Sequence, residues 1–316
     1  LGRLNLGTNH MPTYPPRVVI EEQGLRDGLQ PEALIVPTEK KLAIIDTLIA
    51  AGVKKIQVTS FVHPQLVPQM ADAVELCQKL DHSKDVIYSA LVLNEKGVQR
   101  AAAAKLKHVG VSISASDTHS RKNANASLEE AGKRMAAMIR LGKKLGLVLR
   151  GGLQCVFGCR YEGKIQKNVV SDMVKAQLDL GVDELSLADS TGMAHPGSIR
   201  DIAAETVELA GPLPVYLHLH DTEGKGLANV IAGMAAGISH FETTLGGMGG
   251  CPFIKGASGN VSTEDLVCML HQMGIDTGID VRQLAVATRQ LEAFMGKTFS
   301  GKMHTLLARN DIQIIC

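Results

Sequence analysis

Two histidines one residue apart are the first sign of chemistry in this chain. "HLHD" holds His218 and His220 in a β-rich run. Side chains two apart on a strand share a face, so both imidazoles reach a single ion. Neutral imidazole is the commonest nitrogen ligand for a divalent metal. "GLRDGLQ" (24–30) places Arg26 and Asp27 just after the first β-rich run. Asp27 with the two histidines makes a two-nitrogen, one-carboxylate set with open positions. Oxygen-rich open sites favour Mg²⁺ or Mn²⁺, and the nitrogen ligands also admit Zn²⁺ or Co²⁺. "GASGN" (256–260) offers Asn260 as a further oxygen ligand. Arg26 is a fixed cation beside the carboxylate, suited to an oxyanion that develops in a transition state. The plainer alternatives are two structural strand histidines and an Arg–Asp salt bridge.

"GGMGGCPF" (246–253) surrounds Cys251 with glycines. A thiol with an ordinary pKa of about 8.5 is mostly protonated at neutral pH, so it serves as a proton donor as well as a nucleophile. On a glycine-rich loop that opens and closes over substrate, it would protonate a carbanion or enolate.

These residues need a scaffold. Short β-rich runs alternate with helical patterns, at 17–22, 56–61, 86–92, 108–114, 147–156, 184–188, 215–220 and 240–245. Helical spacing is clearest at 38–52 behind a Thr38 cap, at 127–146 behind a Ser127–Glu130 capping box, and at 171–181 and 262–274. Eight strand–helix units predict a (β/α)₈ TIM barrel, which puts functional groups at the C-terminal ends of strands. Strands 1 and 7 are then two places apart at one rim, which brings Asp27 to the histidines. An open doubly wound sheet would be expected to carry a Gly-x-Gly-x-x-Gly turn after its first strand, and none is there. The expected division is an N-terminal tail (1–16), the barrel (17–275) and a short helical C-terminal extension (276–316).

Composition narrows the function class. The formal charge of +1 leaves no electrostatic footprint for nucleic acid or an anionic membrane. No apolar run reaches the ~20 residues a membrane span needs. The absence of Trp argues against a base-stacking surface. Six cysteines spread along 316 residues read as reduced thiols of an intracellular enzyme, with Cys77 and Cys268 in the core and Cys316 exposed. Cytoplasmic location is the expectation, or the mitochondrial matrix if a transit segment was removed.

"RDGLQ", "TSFVHPQLVPQMAD", "YEGKI", "HLHDTEGKGLAN" and "GGMGGCPFIKGASGNVSTEDL" together resemble the 3-hydroxy-3-methylglutaryl-CoA lyase family, in order, from about residue 17 to 275. The resemblance implies that a divalent cation is held by Asp27, His218, His220 and Asn260. It implies that Arg26 supports the thioester oxygen and that Cys251 is the catalytic thiol. The reaction implied is cleavage of the acyl-CoA between C2 and C3, giving acetyl-CoA and acetoacetate. The base is Asp27 or His218. A homodimer and a small-molecule acyl-CoA partner follow from the same resemblance.

Gln57 stands where the family typically carries Glu, which preserves reach but removes a charge. His63 replaces a usual Ser, and Met248 a Leu. The Gln57 change keeps open a lyase for a different 3-hydroxyacyl-CoA, or a catalytically weak acyl-CoA-binding barrel. A Claisen-type synthase shares the Arg-Asp-Gly and His-x-His pattern, but the Gly-Gly-Cys-Pro loop argues against it. A zinc amidohydrolase barrel would carry its His-x-His on the first strand. Arg121 and Lys122 in "SDTHSRKNAN" either meet the phosphates of coenzyme A or belong to a solvated loop. Asp189 and Glu264 read as groups that orient ligands, with Glu264 alternatively the acid of a capping box after Ser262.

Overall fold

A computed structural model of the protein describes residues 14–250, 258–309 and Cys316. Eight parallel strands close into a barrel in chain order: β1 (Val19–Glu22), β2 (Lys55–Phe61), β3 (Ile87–Val92), β4 (His108–Ser114), β5 (Val148–Gln154), β6 (Glu184–Asp189), β7 (Val215–Leu219) and β8 (His240–Thr243). β1 pairs with β2 on one side and β8 on the other, which seals the cylinder. Each of the eight β-rich runs holds one strand, and β4 spans the expected residues.

The helices are α1 (Thr38–Ala50), α2 (Ala73–Lys79), α3 (Glu95–Ala103), α4 (Asp117–Ala124), α5 (Leu128–Lys144), α6 (Lys167–Asp179), α7 (Pro196–Ala210), α8 (Gly226–Ala235), α9 (Thr263–Gln272), α10 (Val281–Met295) and α11 (Met303–Leu306). At α5 both bonds of the Ser127–Glu130 capping box are present. Two local signals were misleading. Thr38 is not a cap: Pro37 holds that position, and the Thr38 hydroxyl donates to Asp72 at 2.9 Å. α6 begins four residues before Ser171, whose hydroxyl instead bonds back to the Lys167 carbonyl inside the helix. α4 occupies the Arg121–Lys122 segment, for which a phosphate-binding stretch and a solvated loop are the two alternatives above; it is a helix, and Ser116 caps it by accepting from the His119 amide.

The outward faces of the strands supply the apolar core. Ile20, Ile56, Val109, Leu149, Leu185, Leu217 and Phe241 are all buried under the helical ring. The inside of the barrel is different. TIM barrels commonly fill it with branched aliphatics, but here charged groups meet there. Arg150 donates to Glu184 (2.7 Å) and Glu242 (2.7 Å) and also to Glu21, while Lys55 donates to Glu184 at 2.7 Å. Buried charges are tolerated only when paired in this way.

The thiol reading needs one correction. Cys77, Cys155 and Cys159 are free and buried, but Cys268 on α9 forms a disulfide with Cys316 across 48 residues. The last residue returns to α9, which cysteine spacing alone does not reveal.

Candidate active site

β1 runs into a π-helical turn at Gly24–Gly28. The amides of Arg26, Asp27 and Gly28 all donate to the Gln23 carbonyl, at 3.0, 2.8 and 3.2 Å. Single π-turns recur at functional sites because they re-aim consecutive side chains. This one sets Arg26 and Asp27 side by side at the C-terminal mouth of the barrel. Two strands away around that mouth, across β8, β7 delivers His218, and His220 follows directly after the strand.

Asp27, His218 and His220 offer ligand atoms that all lie within 4.8 Å of one another. The two Nε2 atoms face each other at 3.3 Å, and Asp27 Oδ2 is 3.8 Å from His218 Nε2. Two ring nitrogens and a carboxylate gathered this closely are what a cation would hold together. Asn260 completes the set. It pairs through the backbone with His220 and donates its amide to Asp27 Oδ2 at 2.7 Å. Its Oδ1 is buried and has no partner among the described residues. An orphaned buried carbonyl oxygen is costly unless a donor or a cation meets its lone pairs, and a hard cation suits it. These residues fit a divalent ion.

The protonation states of Asp27 and His220 agree. At His218 burial lowers the pKa, but the Glu242 bond and the Asp27 charge outweigh it and raise it, so a cation there must displace a proton more readily held. Burial alone would raise the Asp27 pKa, but Arg26 and the two histidines outweigh it, and the carboxyl is held well below the usual range. Burial pushes His220 down to about 4, with the neighbouring His218 acting in the same direction. The site therefore presents a carboxylate and a neutral imidazole at neutral pH, both in metal-binding form.

Arg26 is held on three sides. Its Nη1 donates to Asp27, its Nε to Gln57, and its Nη2 to Gln23 at 2.5 Å. Gln57 lies on β2 where the pairing with β3 shifts register between Gln57 and Thr59. Such irregularities re-aim side chains near active sites. A cavity of about 510 Å³ opens here. Arg26, Asp27, Gln57, His218 and His220 line it together with Leu91, Leu93, His119 and Asn123. Ser112, Ser114 and Ser186 add hydroxyls to its wall.

The glycine run up to residue 250 is not slack chain. Gly246, Gly247 and Gly249 have φ of +57°, +71° and +96°. A Cβ on Gly249 would lie 2.7 Å from Asn260 Nδ2. Two buried acids grip the base of this run. Glu22 accepts from the Leu245 amide (2.8 Å) and Glu264 from the Gly246 amide (2.8 Å). Glu264 is therefore not the acid of a capping box: Ser262 caps α9 by accepting from Asp265, and the Glu264 carboxylate turns inward to Gly246 and Thr288.

Not every candidate converges. Arg121 and Lys122 sit in the last turn of α4, outside the cavity. Arg121 pairs with Asp117 at 2.6 Å, and Lys122 lies over the Tyr161 ring at 5.0 Å. Asp189 caps the loop after β6, accepting from Met193 and Ala194 amides at 3.0 and 3.1 Å. Cys251 lies outside the described residues. Sequence reasoning missed Gln23, Glu22 and Glu242. Glu242 could have been found by strand parity, because it is the register partner of His218.

Comparison with known proteins follows the same lines. The HMGL-like family model matches residues 17–291. The chain is 41% identical to the mitochondrial hydroxymethylglutaryl-CoA lyase of Gallus gallus, over 86% of this chain and 91% of that one. It is 38% identical to the Bacillus subtilis hydroxymethylglutaryl-CoA lyase, over 90% of this chain and 95% of that one. The crystal structure of an HMG-CoA lyase from Bacillus subtilis superposes with a TM-score of 0.89 at 38% identity, covering 95% of this chain and 100% of that chain. An Acinetobacter baumannii HMG-CoA lyase in complex with coenzyme A and 3-methylmalate gives 0.89 at 36% identity, covering 97% and 100%. With its barrel, its cation-site geometry and these likenesses in agreement, the chain belongs to the HMGL-like family.

Proposed function

We propose that this protein is a divalent-cation-dependent carbon–carbon lyase that cleaves 3-hydroxy-3-methylglutaryl-CoA to acetyl-CoA and acetoacetate. The observation that carries the reading is the convergence of Asp27, His218, His220 and the orphaned Asn260 Oδ1 beside Arg26.

Asp27, His218, His220 and Asn260 would hold the cation, with Mg²⁺ or Mn²⁺ the best match to two oxygen ligands in an open set. When bound, the cation supplies Lewis acidity toward the substrate's 3-hydroxyl oxygen. By family resemblance the hydroxyl proton passes to Asp27 or His218; His218 can take it only while its Nε2 is off the cation, because its Nδ1 is turned to Glu242. The C2–C3 bond breaks, the 3-hydroxyl carbon becomes the ketone, and the electron pair stays on C2 as the thioester enolate. Arg26 neutralises the enolate oxygen, and its three contacts keep it in place before charge develops. By family resemblance, Cys251 returns a proton to C2. Arg121 and Lys122 stand on α4, which also lines the cavity, and would meet the anionic end of coenzyme A.

A second reading is favoured by Gln57 and by the cavity's reach to α4: the same chemistry on a different 3-hydroxyacyl-CoA. The experiment is product formation from 3-hydroxy-3-methylglutaryl-CoA with Mg²⁺, Mn²⁺ or chelator, with Cys251→Ala alongside. Metal-dependent release of both products, lost in the variant, supports the first reading. No cleavage by folded protein that binds Mn²⁺ moves the assignment to the second. A homodimer is part of the proposal and is read by sedimentation. The relatives include mitochondrial, cytoplasmic and bacterial proteins, so the compartment is left to localisation by microscopy. No helix among the described residues is long and apolar enough to cross a membrane.

A further inference from the structure

We propose that Glu242 is a positioning residue for the cation site: it fixes the tautomer and orientation of His218, and Arg150 fixes Glu242. The inference rests on the cation-site reading above and names a group that the reading does not use.

His218 and Glu242 are register partners on β7 and β8, and both turn into the barrel. His218 Nδ1 lies 3.1 Å from Glu242 Oε2. The other carboxylate oxygen accepts from Arg150 Nη1 at 2.7 Å. All three side chains are at least nine-tenths buried, so water does not compete for these bonds. An ionised carboxylate only accepts, so Nδ1 must carry the hydrogen. In the neutral imidazole, the form that binds a metal, Nε2 then has the lone pair, and it is the nitrogen turned toward Asp27 and His220. The second histidine shows the contrast: His220 Nδ1 is buried with no partner among the described residues. Only one of the two imidazoles is locked by a protein carboxylate.

The charge balance points the same way. Glu21, Glu184 and Glu242 share the barrel interior with Arg150 and Lys55, one carboxylate more than the cations. Two carboxylate oxygens of this cluster meet no Arg or Lys among the described residues: Glu21 Oε1, which accepts from the Ser89 hydroxyl, and Glu242 Oε2, which lies against His218. A negative partner on the far nitrogen raises the donor strength of an imidazole toward a metal, and outer partners of this kind typically change metal affinity by about 10–100-fold.

The test titrates metal-free protein with Mn²⁺ and reads free Mn²⁺ by electron paramagnetic resonance, for the parent and for Glu242→Gln. Glutamine keeps an acceptor for Nδ1 but removes the charge. The expected result is Mn²⁺ affinity weakened about 10–100-fold in a variant whose circular dichroism matches the parent. Unchanged affinity in the folded variant overturns the proposal. A parent that binds no Mn²⁺ removes the cation site and this inference with it. If Glu242→Gln does not fold, ¹⁵N NMR of histidines in the metal-free parent decides, with the His218 signals assigned by loss in His218→Gln. The Nδ1–H tautomer is expected at His218; the Nε2–H tautomer overturns the proposal.

Discussion

The Arg26 guanidinium is shared between a charged and a neutral partner: it donates to the Asp27 carboxylate through Nη1 and to the Gln57 amide oxygen through Nε. With Oε1 so engaged, the Gln57 amide nitrogen lies on the side of Gly110, where a Cβ would be 3.9 Å from it. Arg26 thus keeps more of its positive charge for substrate than it would between two carboxylates. Gln57→Glu would neutralise that surplus and replace a donor by an acceptor. The expected outcome is a fall in kcat of about tenfold, equivalent to about 1.4 kcal/mol of lost transition-state stabilisation. Steady-state kinetics on the proposed substrate checks it. A rise in kcat would mean that tighter fixing of Arg26 matters more than its net charge.

Asp27 touches every part of the site, through Arg26, Asn260 and the approach to His218. Asp27→Asn keeps the shape but removes a charged ligand. Mn²⁺ affinity should fall by more than the about 10–100-fold that an outer-sphere change costs. Chelation should abolish turnover in the parent, and Mn²⁺ should restore it there but not in the variant. Turnover by the parent in excess chelator would contradict the metal requirement.

Much of this site was legible because its signals are local. His218 and His220 declare themselves by a two-residue spacing on a strand, and Arg26 and Asp27 by following β1 at once. The strands were legible because their outward faces are β-branched or aliphatic. What was hidden depends on distant chain. Arg150 meets Glu21 across 129 residues and Glu242 across 92. Each of those residues, taken alone, reads as a charge on a strand of unknown face. Glu264 was ambiguous for the opposite reason: an acid in the first turn of a helix is ordinary, and only the fold shows its bonds to Gly246 and Thr288. The Cys268–Cys316 link needs the path of the chain after α11, which no pattern of spacing contains.

Glu22 gives a pH signature. It is wholly buried, and burial pushes its pKa up to about 8, against the bonds from Thr263 and Leu245 that lower it. A native pKa above the ordinary 4.5 means that the folded state holds the proton more tightly. That contribution to stability is complete below pH 4.5 and is lost as pH rises through about 8. Glu22→Gln mimics the protonated acid and has no such dependence. Its stability relative to the parent should therefore climb between these limits, at up to about 1.4 kcal/mol per pH unit, and level off above them. Denaturant unfolding at pH 5, 7 and 9 reads the difference. Parallel curves for the two proteins would show that Glu22 titrates like an exposed acid.

Two neighbouring glycines should respond oppositely to the same change. Gly249 has φ +96°, and a Cβ there would sit 2.7 Å from Asn260 Nδ2. Gly250 has neither constraint; among the described residues its Cβ would meet Pro31 Cγ, at 4.0 Å. Gly249→Ala must strain the backbone, at about 1–3 kcal/mol, and displace Asn260, whose Oδ1 is the oxygen free for the cation. The variant should therefore lose thermal stability and Mn²⁺ affinity together, while Gly250→Ala loses neither. If both variants slowed turnover equally with Mn²⁺ affinity intact, the glycines would matter for motion of the loop. If only Gly249→Ala weakened Mn²⁺ binding, the run would be there to bring the backbone close to Asn260, and its glycines would serve the cation site by geometry.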